Sequence, residues 1–345
     1  MNVGDIDENF NIKTKINEEN IKFKSVLSAP FDIHGADKEF FRMDIKVAEK
    51  INKNVERLAA NTSGVRIRFK TNSRYIAVSV KYSDVCRMEH MSVSGTAGLD
   101  MYEYENNKYI FVTNFIPKIN MNDEFEAIHY FKVSKMRDIT INLPLYSSVS
   151  QLFIGLDKNA FLEHGGKYKN EKPIIYYGSS ITQGGCASRA GNSYPAIISR
   201  RLNLDFINLG FSGNAKGEPA MAEYIASLDM LCFVMDYDFN APDMQHLKNT
   251  HKIFFDTVRK KHKNLPIIIM SMPYNSWVEN VAERKAIIKE TYDAAVKSGD
   301  KNVYFIDGEK MFDVFGGDGG TVDGTHPNDL GFMCMAKEVG KYLKT

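Results

Sequence analysis

The sequence predicts an α/β chain in two parts. An antiparallel β-sandwich or jelly roll over residues 1–165 is followed, over 172–345, by a parallel sheet with helices on both faces. Two observations predict this. In the first part, segments with alternating or β-branched side chains are separated by turn clusters such as NTSG, TNSR and ENNK, the pattern of sandwiches and jelly rolls. In the second, five apolar runs alternate with helical segments, and repeated strand–helix units build parallel sheets. A chain of 345 residues is long for one core and ample for two.

Taken in order, VRIRFKT (65–71), YIAVSVKY (75–82), KYIFVTNFI (108–116) and DITINLPL (138–145) read as strands, and VAEKINKNVERLAA (47–60) as one helix interrupting them. EHGGKYKNEK (163–172) reads as the linker. Beyond it, PIIYY precedes SYPAIISRRLN, DFINLGF precedes EPAMAEYIASL, and DMLCFVMDY precedes PDMQHLKNTHKIFFDTVRKKH. LPIIIMSMP then precedes VENVAERKAIIKETYDAAVKSG, and VYFID leads through a loop to LGFMCMAKEVGKYLKT. Open parallel sheets bind ligands beyond the carboxyl ends of their strands, so the informative residues should lie just after each run.

Composition narrows the function. The chain is 43% hydrophobic, 25% charged and 12% aromatic, with a formal net charge of +1. No field of either sign is large enough to gather nucleic acid or an acidic membrane, so a neutral substrate fits best. The cysteines, Cys86, Cys186, Cys232 and Cys334, are far apart with no C-x-x-C pair and read as buried reduced thiols rather than a disulfide framework. The N-terminal MNVGDIDENFNIKTKINEEN lacks a basic and an apolar signal region, and no run approaches ~18 apolar residues. The expectation is a cytoplasmic protein with no membrane span.

The residues after the strands form a set. Gly178, Ser179 and Ser180 follow the first run; Gly210, Gly213 and Asn214 the second; Asp236, Asp238 and Asn240 the third; Asp323 and His326 the last. Each has a plain reading alone: Gly-Ser-Ser as a turn or helix cap, and Asp323-x-x-His326 as a cap, a core histidine or a metal pair. Together they match the needs of acyl transfer. A serine hydroxyl needs a base to take its proton, and a histidine base needs an acceptor to fix its tautomer. Three-residue spacing lets Asp323 reach His326. Backbone N–H groups of Ser180 and Gly213 and the Asn240 amide could receive an oxyanion, glycine allowing close approach.

In GSSIT, NLGFSG, DYDFN and DGTH the sequence resembles the four blocks of the SGNH (GDSL-type) hydrolase superfamily. The resemblance implies a flavodoxin-like three-layer catalytic domain with Ser180 as nucleophile, His326 as base and Asp323 as its orienter. It also implies an oxyanion hole from Ser180, Gly213 and Asn240. Two positions depart from the family pattern: Ser179 replaces Asp in Gly-Asp-Ser, and Asp-Tyr-Asp-Phe-Asn replaces Gly-x-Asn-Asp. GLDMY (98–102) is similar to the Gly-x-Asp-Leu-Tyr signature of a β-sandwich domain that precedes some of these hydrolases. Such two-domain proteins include carbohydrate acetylesterases, some acting on acetylated mannan oligosaccharides. The expectation is therefore an esterase for an acetylated oligosaccharide, using no cofactor or metal. A lysophospholipase or thioesterase, or an inactive carbohydrate-binding protein, are the alternatives.

Other signals weigh less. No G-x-S-x-G is present, against an ordinary α/β-hydrolase elbow. Asp236-Tyr237-Asp238 reads as a solvated strand-end pair rather than a metal-binding D-x-D, and no H-E-x-x-H or other ligand spacing joins the remaining histidines. RKKHK (259–263) ends a helix, where cations complement its dipole. Trp277, the one tryptophan, lies in the loop YNSW after LPIIIMSMP and reads as a sugar platform or, in its plainer sense, as packing at the domain interface.

Overall fold

The computed structural model describes residues 12–343; residues 1–11 of the polar N-terminal stretch and residues 344–345 lie outside them. Among the described residues, ten strands build the first part: β1 (Ile21–Ser25), β2 (Asp32–His34), β3 (Arg66–Thr71), β4 (Tyr75–Asp84), β5 (Leu99–Glu105), β6 (Lys108–Phe115), β7 (Glu124–Tyr130), β8 (Arg137–Asn142), β9 (Ser148–Asp157) and β10 (Leu162–His164). One antiparallel sheet runs β1-β9-β4-β7; the other runs β10-β3-β8-β5-β6, with β2 also on β3. Their facing side chains, among them Ile67, Phe69, Ile76, Val78, Met101, Ile139, Ile141 and Ile154, form one buried core, as alternation in packed sheets requires.

The second part carries five parallel strands, β11 (Ile174–Gly178), β12 (Phe206–Gly210), β13 (Cys232–Asp236), β14 (Ile267–Met270) and β15 (Val303–Ile306), in the order β12-β11-β13-β14-β15. The strands are continuously apolar because both faces are covered. Ile174, Tyr176, Val234, Ile268 and Met270 point to one core; Ile175, Tyr177, Phe233, Met235, Ile267 and Ile269 point to the other.

The segment expected as one helix is two, α1 (Ile45–Ile51) and α2 (Lys53–Ala59). Asn52 separates them: its backbone is extended, and its side chain accepts from the N–H groups of Asn54 and Val55, both at 2.9 Å, starting a new helix. Nor do these helices serve the sandwich. Ala48, Val55, Leu58 and Ala59 bury in the core on one face of the parallel sheet.

The remaining helices are α3 (Val93–Thr96), α4 (Ser180–Gln183), α5 (Tyr194–Leu202), α6 (Pro219–Ser227), α7 (Met244–Lys261), α8 (Val281–Lys297) and α9 (Asp329–Gly340). α5 and α9 cover one face of the parallel sheet; α6, α7 and α8 cover the other with α1 and α2. Asp243 caps α7 by accepting from His246 N–H at 2.7 Å, and α6 opens on Pro219, whose missing N–H costs nothing there. Among the described residues, no helix is long and apolar enough to cross a membrane.

Polar contacts lock the sandwich to the parallel sheet. β12 is an edge strand, and edge carbonyls need partners. Buried Arg42 supplies them, donating from Nη1 to Asn208 O (2.7 Å) and Gly210 O (2.8 Å) while Nε and Nη2 hold Asn61 O and Leu58 O. The GLDMY segment has a matching task. Its buried Asp100 accepts from Asn142 Nδ2 (2.8 Å) and from the backbone N–H of Gly191 (2.9 Å), and lies 3.3 Å from Arg189 Nε. The signature thus grips the loop that leads from α4 to α5.

Candidate active site

Strand register explains why the residues singled out in the sequence can meet. Gly178 at the end of β11 stands level with Gly210 of β12 and Asp236 of β13. The turns after these three strands therefore leave the sheet at one height, at the point where strand order reverses. α4 packs tightly over the ends. A Cβ on Gly210 would fall 2.2 Å from Gln183 N, and one on Gly178 2.1 Å from Thr182 Oγ1, so side chains there would push α4 off the sheet.

Ser179 is the N-cap of α4 and accepts from Ile181 N–H at 3.1 Å. Ser180 is the first helical residue, so its own N–H has no partner within the helix. Its Oγ lies 3.0 Å from Nε2 of His326, 146 residues away in sequence. His326 Nδ1 lies 2.8 Å from Asp323 Oδ2. The other carboxylate oxygen, Oδ1, accepts from the backbone N–H groups of His326 (2.8 Å) and Thr325 (3.1 Å). Burial pushes the Asp323 carboxyl up, but the hydrogen bonds and charge of His326, with the Thr325 N–H, outweigh it and hold the group below its ordinary value. It stays ionised at neutral pH and fixes His326 with Nδ1 protonated and Nε2 free to accept.

The loop carrying Asp323 and His326 is anchored on both sides. Asn328 caps α9 by accepting from Leu330 and Gly331 N–H, and its amide donates to Gly319 O and Thr321 O. Cys186 N–H donates to Pro327 O at 3.1 Å, and Ser188 N–H to Asp329 at 2.9 Å. These bonds tie the chain after Ser180 to the chain after His326 and so set the distance between the two side chains.

Gly213, Asn240 and Trp277 line one open pocket of about 610 Å³. Gly213 has φ +69°, and a Cβ there would meet nothing within 4 Å. Glycine is therefore required by backbone conformation rather than by neighbouring atoms. Asn240 sits at the end of a short 3-10 turn, and its side-chain oxygen accepts weakly from Ala215 N–H at 3.4 Å, leaving the NH₂ as its donor. Trp277 is 58% exposed, and its ring meets that of His326 edge-on at 5.7 Å. Such exposure is incompatible with packing at the domain interface. Ser276 N–H donates to Gly324 O at 2.8 Å, tethering the tryptophan loop to the histidine loop.

Three expectations need correction. Asp236 and Asp238 are buried, because α4, α5 and α8 close over the end of the central strand. Asp236 Oδ2 accepts from Thr182 Oγ1 (2.8 Å) and Tyr194 OH (3.1 Å); Asp238 pairs with Arg284 Nε at 3.1 Å and accepts from Met272 N–H at 3.0 Å. All four cysteines are free, but only Cys186 and Cys232 are buried; Cys86 and Cys334 are half-buried. The remaining histidines do not all stand apart: His90, at the tip of a turn between Met88 and Met91, has its ring centroid 5.4 Å from that of His326. Gln183 also escaped notice. Its Oε1 accepts from Ser212 N–H at 3.0 Å and its amide donates to Asn61 and Leu145, which steadies the Gly213 loop against the sandwich.

Burial raises Asp236 to about 7, opposed by the Thr182 and Tyr194 hydroxyls and helped by the nearby Asp238 charge. A carboxyl whose folded value exceeds its unfolded one stabilises the fold fully below about pH 4, and that contribution is lost as pH rises through about 7. The shift corresponds to about 4 kcal/mol. An amide keeps the neutral form and its accepting oxygen. Asp236→Asn is therefore expected to match the parent in Tm near pH 4 and to exceed it above pH 7, measured by thermal unfolding across that range. A Tm difference that ignores pH would refute this.

Comparison with known proteins follows the two-part division. The model of the GDSL-like lipase/acylhydrolase family matches residues 171–344, and that of the GxDLY N-terminal domain of SGNH-hydrolase-type esterases matches residues 17–162. The crystal structure of a candidate GDSL-like lipase from Bacteroides ovatus ATCC 8483 is 32% identical, covering 93% of this chain and 96% of that one with a TM-score of 0.84. The salicylyl-acyltransferase SsfX3 of a tetracycline biosynthetic pathway is 21% identical, with coverage of 93% and 96% and a TM-score of 0.77. The acetyl xylan esterase Est2A from the rumen bacterium Butyrivibrio proteoclasticus is 16% identical, with coverage of 94% and 97% and a TM-score of 0.59. These last two show likeness of fold. A search of curated proteins returns no match.

Proposed function

Because the chain belongs to the GDSL-like lipase/acylhydrolase family, we propose that it is a serine esterase removing O-acetyl groups from a neutral carbohydrate, acetylated manno-oligosaccharides foremost. The observation that carries the reading is the chain of contacts from Ser180 Oγ to His326 Nε2 and from His326 Nδ1 to Asp323. In the proposed reaction, His326 Nε2 takes the Ser180 proton as Oγ attacks the acetyl carbonyl. The oxyanion is received by the N–H groups of Ser180 and Gly213 and by the Asn240 amide. His326 then returns its proton to the departing sugar oxygen. Water, deprotonated by the same imidazole, releases acetate from Ser180.

The carbohydrate part of the reading rests on Trp277 and on the company the fold keeps. An exposed indole beside His326 gives a flat apolar surface on which the C–H face of a sugar stacks. Proteins of this fold include an acetyl xylan esterase and family two carbohydrate esterases from Clostridium thermocellum and Cellvibrio japonicus. Incubation with acetylated manno- and xylo-oligosaccharides, followed by weighing the products, tests the reading directly: loss of acetyl mass supports it. Preference for a long-chain aryl ester over an aryl acetate would redirect it to lipids. Sugar binding without acetate release would make the chain a binding protein. With Trp277→Ala, KM for acetylated oligosaccharides is expected to rise roughly 3- to 10-fold, while aryl acetate kinetics barely change. Equal losses on both substrates with a lowered Tm would make Trp277 a support for His326 instead.

A further inference from the structure

We propose that His90, Cys186 and His326 form a site for a thiophilic divalent cation such as Zn²⁺, and that its occupation switches the esterase off. Each of the three offers one ligand atom, and these atoms lie within 4.8 Å of one another, the one such group among the described residues. The ligands come from three places: a turn of the sandwich, the loop after α4 and the loop before α9. No sequence spacing could have displayed them.

The chemistry of the set suits zinc. Two imidazoles and a thiolate with water in the fourth position make an ordinary open tetrahedral site. Around a tetrahedral zinc, ligand atoms stand roughly 3.3–3.6 Å apart, so the widest separation, at most 4.8 Å, must close by up to about 1.5 Å. His90 can provide that movement, being an exposed residue on a turn tip. His90 and Cys186 also line a surface hollow of about 390 Å³, through which the ion can enter. As the Sγ–Zn bond forms, the Cys186 thiol releases its proton to solvent; nothing is oxidised or reduced. His326 is already prepared as a ligand. Its Nδ1 is held by Asp323 at 2.8 Å, the carboxylate–histidine arrangement that orients metal-binding imidazoles.

Inhibition follows from which atom remains. With Nδ1 committed to Asp323, the ion takes Nε2, the nitrogen 3.0 Å from Ser180 Oγ. A metal on that lone pair cannot coexist with proton uptake from serine. The inhibitory half of the proposal rests on His326 being the base; the binding half does not.

The test uses the full chain in two arms. ZnCl₂ is expected to slow aryl acetate hydrolysis, with recovery on adding a chelator, and His90→Ala and Cys186→Ser should each need at least about tenfold more zinc for half inhibition. His90→Ala alters an exposed turn and keeps the test alive if Cys186→Ser folds poorly. In the second arm, CoCl₂ added to Ser180→Ala should produce the near-ultraviolet thiolate-to-cobalt charge-transfer band, lost in Ser180→Ala/Cys186→Ser. That arm needs no activity, so it stands or falls apart from the esterase reading. Unchanged zinc sensitivity in the variants, or cobalt uptake without the band, would overturn the site.

Discussion

Ser180→Ala is expected to lower kcat/KM for an aryl acetate by about 10⁴-fold or more, the scale on which loss of a triad member acts. The Ser180 side chain is buried, and its Oγ faces His326 at 3.0 Å. Removing one hydroxyl leaves no sizeable cavity, so Tm should hold. Ser179→Ala separates the two serines. Ser179 faces the backbone, accepting from Ile181 N–H, and losing an N-cap costs about 1 kcal/mol of stability. Its substitution should lower Tm modestly and leave most of the turnover. Steady-state kinetics and thermal melts of both variants decide the matter; a dead Ser179→Ala beside an active Ser180→Ala would reverse the assignment.

Asn240→Ala is expected to reduce kcat by roughly 10²–10³-fold with little change in KM, the usual consequence of removing one oxyanion donor. The negative oxygen exists only at and near the transition state, so ground-state binding should barely register the loss. Asn240 shares its pocket with Gly213, and the hydrogen bond its side chain makes, accepted from Ala215 N–H, is long at 3.4 Å. Little structure depends on it. The kinetic split is therefore informative: a rise in KM with kcat intact would make Asn240 a substrate contact.

Much of the α/β layer was legible because its signals are local. Strands such as PIIYY and DMLCFVMDY are apolar on both faces, and a parallel sheet places the residues after them on one rim whatever the details of packing. That ground gathered Ser180, Gly213, Asn240, Asp323 and His326 among other strand-end residues; the needs of acyl transfer and the family resemblance singled them out. In the sandwich, only β3, β4, β6 and β8 were read as strands; β1, β2, β5, β7 and β9 escaped, as did β10. EFEAIHY carries Glu and His among its apolar residues, and SVSQLFIGLD follows the irregular run PLYSS. The break at Asn52 hid because helical periodicity continues across it, and only the cap geometry reveals two helices. The burial of Asp236 depended on Thr182 and Tyr194 arriving from elsewhere in the chain. His90 reaches His326 only because the sandwich is clamped to the sheet by Arg42 and Asp100. Tertiary partners of this kind leave no mark in the spacing of residues along the chain.

In the proposed reaction, Ser180 is the nucleophile that carries the acyl group. A fluorophosphonate probe reacts with an activated serine and stays attached, so intact-mass analysis followed by peptide mapping locates the nucleophile directly. One probe per chain is expected, on Ser180, with activity lost in proportion to labelling and no labelling of Ser180→Ala. A probe on Ser179, or full hydrolytic activity surviving complete labelling of Ser180, would contradict it.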